Sequence, residues 1–429
     1  MLQGISASLL GLVLGIFGQS SAPIEIAQTL SWQESALFKL PEQPNETADA
    51  IAQQYLQNLN ARGIASDYQG IWFQSGLTTL ADHQGRVPRS AASLTKIATT
   101  LASLEKWGGD HTFETRVGTN GQIEDGVLKG DLIIMGSGDP FFVWEEAIAL
   151  GNTLNNLGIR KVTGDLVIAG DFYMNFKDNP ARSGQMLLQS LNHRKWSGEI
   201  ATHHGNMQPN TPRPEIEITG TIKTKDDLSS QPERLLIRHF SLSLAEILKN
   251  MNLYSNNALS EMLAQQAGGA KVIAKLAAES ASVPQDEIQL INGSGLGVDN
   301  RISPRATVAM LMTIERKLQS QPLGIMDLFP VAGEDKRGTM SSRNIPTGTA
   351  VKTGTLREVS ALAGVLPTQD QGWVWFAIIN NGGWDLNYFR AQQDDLLQRF
   401  SQTWGLNLNG TQTNVEKGYL GDPTRNLTL

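Results

Sequence analysis

A serine and a lysine lie one helical turn apart in the segment AASLTKIATTL, which begins at Ala91. Ser93 precedes Lys96 by three positions, and residues at that spacing share one face of a helix. A serine hydroxyl is a weak nucleophile until an adjacent base takes its proton, and an uncharged lysine amine can be that base. Taken alone, however, such a pair is most often two polar surface residues, so its meaning depends on partners elsewhere in the chain.

Two further motifs follow in order along the chain. Ser255-Asn256-Asn257 has the form Ser-x-Asn, and Lys352-Thr353-Gly354 is Lys-Thr-Gly. Taken singly, the first motif is usually a helix cap or turn, and the second is most often a turn. With Ser93 and Lys96 they form the motif set of β-lactamases and penicillin-binding proteins, in which Asp occupies the middle of the second motif. The trio therefore predicts acyl transfer through an activated serine.

The chain resembles the low-molecular-mass class C penicillin-binding proteins, which are D-alanyl-D-alanine carboxypeptidases and endopeptidases of the bacterial envelope. The likeness extends beyond the three motifs and covers roughly Thr47 to Trp404. The segments that carry it include LKGDLIIMGSGDP, VTGDLVIAGDFY, RHFSLSLAEILKNMNLYSNNALSEML, INGSGLGVDNRISP and LFPVAGEDKRGTMSSR.

The resemblance implies a set of catalytic residues. Ser93 would be the nucleophile and Lys96 its base, kept neutral by burial and by the positive charge of Lys352 on a facing strand. Ser255 would relay a proton to the leaving group, and Asn257 would hold both the Lys96 amine and the substrate amide.

The same resemblance implies a substrate-binding strand. Lys352 and Thr353 would bind the terminal carboxylate of the substrate, and Gly354 would leave room for its backbone. The backbone N–H groups of Ser93 and Thr355 would form the oxyanion hole.

The implied reaction is hydrolysis of the D-alanyl-D-alanine bond of peptidoglycan stem peptides, without metal or cofactor. Cleavage of D-Ala-meso-diaminopimelate cross-links is a second activity of the family, and penicillins would acylate the serine. Two alternatives remain open. A serine β-lactamase shares the motifs but needs a dedicated deacylation base, for which no sequence marker stands out. A non-catalytic, wall-binding regulator would not need the intact motifs.

Some residues depart from the family's usual motifs, and the histidines could suggest a different hydrolase or a metal site. Asn256 replaces the family's usual Asp, and Ala91-Ala92 replace the usual proline before the first motif. His239 lies near the second motif, but no Gly-x-Ser-x-Gly elbow accompanies it. His193 and the pair His203-His204 lack acidic or cysteine neighbours at ligand spacing, so a metal site is not predicted.

Composition and the N-terminus bear on location and partners. The 429 residues are 40% hydrophobic and 18% charged, with a net charge of −7 and no cysteine. Interspersed charges give no basic surface for nucleic acid. The apolar run Ile5 to Phe17, about 13 residues long, fits a signal peptide better than a membrane span of about 20. We therefore expect an exported protein of the bacterial periplasm or envelope, with residues 1–22 as a signal peptide or an uncleaved anchor that is the only membrane contact.

Periodicity predicts the elements that must position the motifs. The segments AVKTGTL, SALAGVL and WVWFAIINN indicate a strand meander, followed by a helix from Leu386 to Trp404. Thr47 is the expected cap of an earlier helix, and Asn192 to Arg213 is expected to be a loop. The predicted fold class is α/β (α+β), a penicillin-binding/β-lactamase-like catalytic domain with an antiparallel sheet flanked by helices. That domain would comprise residues 23–105 and 239–429, with a β-rich inserted module at 106–238.

Overall fold

The computed structural model describes residues 45–225, 232–411, 413 and 418–429. The apolar run predicted to be a signal peptide or anchor lies outside the described residues. Across the described ranges, no helix combines the length and apolar character that crossing a bilayer requires.

The described chain alternates short strands with helices from its start to the second motif. In order, the elements are α1 Glu46–Asn60, β1 Gln69–Ser75, β2 Thr78–His83, β3 Arg89–Ser90, α2 Thr95–Trp107, β4 Glu114–Thr119, β5 Gln122–Glu124, β6 Val127–Lys129, β7 Leu132–Ser137, α3 Trp144–Asn156, β8 Lys161–Val162, β9 Leu166–Asp171, α4 Pro180–Ser190, α5 Gly198–Gly205, β10 Glu217–Ile218, β11 Ile222–Lys225, β12 Arg234–Phe240 and α6 Leu244–Tyr254.

Helices dominate after the second motif until the strand meander begins. The remaining elements are α7 Asn257–Gln266, α8 Ala270–Ala281, β13 Ile288–Gln289, β14 Arg301–Ile302, α9 Pro304–Leu318, α10 Ile325–Leu328, β15 Ala350–Leu356, β16 Val359–Pro367, β17 Trp373–Asn381, α11 Leu386–Trp404 and β18 Asn426–Thr428.

A five-stranded antiparallel sheet, in the order β15-β16-β17-β1-β2, carries the third motif. All nine residues of β16 are buried, which requires cover on both faces of the sheet. On one face Phe73 and Phe376 pack with α1 and α11 in one core. On the other face Trp375 and Ala377 pack with α2, α6, α8 and α9. The predicted antiparallel sheet flanked by helices is thus confirmed.

Two further sheets are drawn largely from the segment between α2 and α6. One has four strands in the order β10-β8-β6-β5, and the other has six in the order β11-β9-β7-β4-β12-β18. The sixth strand comes from the C-terminus, where Asn426 pairs with His239 and Thr428 with Ile237. The proposed division into residues 23–105, 106–238 and 239–429 stays a prediction.

Two local predictions were wrong. The cap of α1 is Asn45, whose side chain accepts hydrogen bonds from the backbone N–H groups of Thr47 and Ala48. Asn caps helices at least as well as Thr, so the earlier residue takes the role. The stretch expected to be a loop contains α5, which Ser197 caps by accepting from the N–H of Ile200.

Candidate active site

Ser93 lies in a single 3-10 turn, Ala92–Leu94, that leads directly into α2. It is therefore at the N-terminal end of the helix rather than inside it, where the helix dipole favours developing negative charge. Ala92, the residue before it, has a φ of +47°, in the left-handed region that non-glycine residues rarely adopt. Such strain persists only where the surroundings hold it, as they often do at functional sites.

The second motif lies at a break between two helices. Helix α6 ends at Ser255, which adopts a left-handed conformation with φ +52°. Asn256 then caps α7, its side chain accepting from the N–H of Leu259 at 3.0 Å. Asn257 is the first residue of α7. The tight turn thereby directs the Ser255 and Asn257 side chains toward the same cleft, as their hydrogen-bond partners show below.

The third motif forms part of β15, the edge strand of the five-stranded sheet. β15 pairs with β16 along one edge, and the turn that holds Ser93 packs against both of these strands. A Cβ atom on Gly354 would lie 2.9 Å from the carbonyl oxygen of Ala91 and 3.1 Å from the amide nitrogen of Ser93. Glycine therefore allows the strand to pass close to the serine.

Hydrogen bonds of the Lys96 amine join the first two motifs. Its Nζ lies 3.1 Å from Ser93 Oγ and 2.7 Å from Asn257 Oδ1. A third bond, also 2.7 Å, goes to the carbonyl oxygen of Ser294. The three acceptors match the three N–H donors of an ammonium group. The Lys96 side chain has no exposed surface, so these protein atoms are its surroundings.

The Lys352 amine joins the third motif to the second. Its Nζ donates to Ser255 Oγ at 3.1 Å and to the carbonyl oxygen of Thr353 at 2.8 Å. Lys352 is also fully buried. Three segments far apart in sequence thus meet around Ser93. Of the other residues assigned to substrate, Thr353 is buried and Thr355 is exposed, and both belong to β15.

Burial controls the charge on both lysines. Loss of hydration lowers the pKa of Lys96 to about 7, while the negative charge of Glu261 acts in the opposite direction. For Lys352, burial and then the positive charge of Lys96 hold the pKa well below its ordinary value. Of the two causes expected for the lowered pKa of Lys96, burial is the dominant one, whereas the charge of Lys352 is not among its main causes.

Sequence reasoning missed the residues that support the Lys96 amine from the loop after α8. Glu261 accepts hydrogen bonds from the N–H groups of Gly293 and Ser294, at 3.0 and 2.9 Å. This holds the Ser294 carbonyl against Lys96 Nζ. A backbone carbonyl contact cannot be inferred from residue types. Glu261, however, lies one turn beyond Asn257 and could have been considered as a charged neighbour.

The histidines lie in other parts of the structure. His239 is fully buried in the six-stranded sheet, where its Nδ1 lies 2.8 Å from Asn426 Oδ1. His203 Nδ1 lies 2.7 Å from Glu145 Oε1, and His193 contacts the carbonyl oxygen of Pro214. None of these contacts involves Ser93.

An antiparallel sheet with flanking helices, and three motifs that come together beside one serine, define the active-serine penicillin-binding enzymes. The protein has both features. It belongs to the D-Ala-D-Ala carboxypeptidase 3 (S13) family, whose sequence profile matches residues 64–179 and 210–402. The family resemblance inferred from the motifs is thereby confirmed.

Individual relatives agree with this assignment. The chain is 23% identical to the D-alanyl-D-alanine carboxypeptidase DacB of Haemophilus influenzae, over 81% of this chain and 91% of the relative. It is 26% identical to the D-alanyl-D-alanine carboxypeptidase of an Actinomadura species, over 68% and 73% of the two chains. Among solved structures, a predatory endopeptidase of Bdellovibrio bacteriovorus, acylated by penicillin G, has a TM-score of 0.67 at 22% identity and covers 82% of this chain and 94% of its own.

These matches establish the enzyme class. The protein is a serine-type carboxypeptidase of the penicillin-binding group, as predicted, and the β-lactamase alternative is not favoured. The structural match supports the fold.

Proposed function

We propose that the protein hydrolyses the D-alanyl-D-alanine bond of peptidoglycan stem peptides through an acyl-enzyme on Ser93. In the first step Lys96 takes the hydroxyl proton, and Ser93 Oγ bonds to the carbonyl carbon. The bond to the leaving nitrogen then breaks, and Ser255 relays the proton that Lys96 took to the departing amine of D-alanine. Water subsequently cleaves the ester and regenerates the free serine.

The remaining motif residues bind and polarise the substrate in this proposal. Asn257 holds the Lys96 amine and the substrate amide, and Lys352 supports the Ser255 hydroxyl. Thr353 and Thr355 flank Gly354 on an edge strand along which the substrate backbone can lie. The N–H groups of Ser93 and Thr355 form the oxyanion hole, and loss of one such donor costs about 3–4 kcal/mol of transition-state stabilisation.

The observation that carries the proposal is the Lys96 amine, buried at 3.1 Å from the Ser93 hydroxyl with a pKa of about 7. An ordinary lysine remains protonated at neutral pH and cannot accept a proton. Here a large fraction of the amine is neutral near pH 7, as a general base requires.

We further propose the biological setting that was expected from the sequence. The leaving group can also be the meso-diaminopimelate of a cross-link, which would make the enzyme an endopeptidase. β-Lactams act as covalent inhibitors because they acylate the same serine. The family's cell-wall substrate supports export to the periplasm or envelope.

Labelling with a fluorescent penicillin tests the mechanism. The wild-type protein and a Ser93→Ala variant are incubated with the label and, separately, with a pentapeptide that ends in D-Ala-D-Ala. Because Ser93 forms the covalent bond, we expect label and D-alanine release with the wild type and neither with the variant. Label on both proteins would contradict the role of Ser93. Rapid loss of label from the wild type with no peptide cleavage would instead indicate a β-lactamase.

A further inference from the structure

The substrate of the proposed function carries a free carboxylate one carbon away from the leaving nitrogen. The family resemblance assigned this group to Lys352 and Thr353, but the Lys352 amine already donates to two protein acceptors. It is fully buried and donates to Ser255 Oγ and the Thr353 carbonyl. Burial also holds its pKa well below the ordinary value. Lys352 is therefore poorly suited to recognise the carboxylate.

A small polar pocket adjoins the outer end of β15. It has a volume of about 140 Å³, compared with about 10–15 Å³ needed for one water molecule. The pocket is lined mainly by hydroxyl groups and two arginines, and the residues that matter here are Thr339, Ser342, Arg343, Thr353, Thr355 and Arg390. Since Thr353 and Thr355 belong to the strand that passes Ser93, the pocket lies beside the reaction centre.

The two arginines of the pocket differ in their partners. Arg343 is buried, and its guanidinium is paired with Asp394 at 2.7 Å and hydrogen-bonded to Gln393. Arg390 is only partly buried, and its Nη2 donates to Thr355 Oγ1 at 3.2 Å. Within the described part of the chain, no carboxylate lies within ion-pair distance of Arg390. Arg390 thus supplies an uncompensated positive charge next to two threonine hydroxyls.

We infer that Arg390, with Thr353 and Thr355, binds the free carboxylate of the leaving residue and sets the requirement for it. Arg390 is then a specificity-determining residue, and this inference rests on the proposed function. A guanidinium stays charged at all relevant pH values and can bind a carboxylate through two parallel hydrogen bonds. Its hydrogen bond to Thr355 holds the side chain at the strand before substrate arrives, so little side-chain entropy is lost on binding.

Paired substrates test this inference. Release of the last residue is measured with a D-Ala-D-Ala pentapeptide and with its C-terminal amide, for the wild type and Arg390→Gln. Hydrogen bonds to charged groups are the strong ones, so we expect kcat/KM for the free acid to fall about 10- to 100-fold. The amide lacks the carboxylate, and its kcat/KM should not change. The preference for the acid should therefore shrink by the same factor.

Two further variants distinguish the effect of the Arg390 charge from the effect of its planar geometry, and both from a general effect on the helix. Arg390→Lys keeps the charge but loses the planar fork, so it should recover only part of the preference. Arg399→Gln removes the same charge from an exposed site on the same helix, where Arg399 pairs with Asp395, and should leave the preference intact.

The possible results are distinguishable. An equal loss on acid and amide in Arg390→Gln would mean a structural role and would overturn the inference. Unchanged preference would overturn it as well. If the wild type neither releases D-alanine nor takes up penicillin label, the proposed function itself has failed, whatever Arg390 does.

Discussion

The Lys96 amine is the residue-scale feature on which the proposed chemistry depends. Its surroundings act on the pKa in opposite directions, since burial disfavours the ammonium form whereas the charge of Glu261 favours it. The outcome is a pKa of about 7, so the amine changes protonation near physiological pH. A base of this kind combines the correct protonation state with sufficient basicity.

The pH dependence of acylation tests the role of Lys96. Because the folded-state pKa lies below the ordinary 10.5, at about 7, the reactive neutral amine accumulates as pH rises through that value. We expect the rate of penicillin acylation to increase about tenfold per unit below pH 6 and to level off above pH 8. Stopped-flow labelling across this range gives the profile.

Lys96→Arg is the matching variant, since arginine keeps a charge and cannot be deprotonated. It should lose about 100- to 10,000-fold in acylation rate, which is the usual contribution of a general base. A profile that is flat between pH 5 and 9 in the wild type would contradict the assignment.

At the scale of elements, the break between α6 and α7 positions two of the side chains that we propose to be catalytic. Ser255 takes the left-handed conformation that ends α6, and Asn256 begins α7 by capping it. The family's usual Asp at this position can cap in the same way, because both side chains offer an oxygen to the free N–H groups of the first turn. The departure at Asn256 therefore preserves the junction.

Substitutions at Asn256 test this capping role. Asn256→Ala removes the bond to the Leu259 N–H and should lower the free energy of unfolding by about 1 kcal/mol. Asn256→Asp keeps an acceptor and should remain within about 0.5 kcal/mol of the wild type. Urea unfolding followed by circular dichroism measures both differences. Equal stability of the alanine variant and the wild type would show that the side chain does not stabilise the junction.

At the scale of the whole molecule, the C-terminal segment is attached to the six-stranded sheet by a buried polar cluster. Arg425 pairs with Glu146 at 2.7 Å, and His239 Nδ1 lies next to the Asn426 side chain. His239 is fully buried, and burial lowers its pKa to about 4. The chain end is thus tied to strands formed some 190 residues earlier.

His239→Asn tests this cluster through pH-dependent stability. Since the folded-state pKa of His239 lies below the unfolded value of 6.5, its contribution to stability is present above pH 6.5 and is lost as pH falls to about 4. The full loss corresponds to about 3 kcal/mol. Asn retains a donor near Nδ1 but does not titrate. Between pH 7 and pH 4, the wild type should therefore lose this amount of unfolding free energy relative to the variant.

Denaturant melts at several pH values give both curves, and titrating groups that do not contact His239 cancel in the difference. A constant difference between wild type and variant over this range would contradict a buried, neutral His239.

The sequence by itself determined the residue types of the reaction and the elements that carry them. Ser93, Lys96, Ser255, Asn257 and the Lys-Thr-Gly strand could be proposed as site residues because the three motifs occur in order along the chain. The meander and α11 were predicted because alternation and helical periodicity are local properties.

Only the tertiary structure decided how these groups are charged and which other groups meet them. The Lys96 pKa depends on desolvation, and therefore on everything that packs around the amine. The Ser294 carbonyl, as a backbone group, carries no residue signature, and Arg390 reaches Thr355 from 35 positions away. Such contacts are set by the packing of whole elements, which local patterns do not encode.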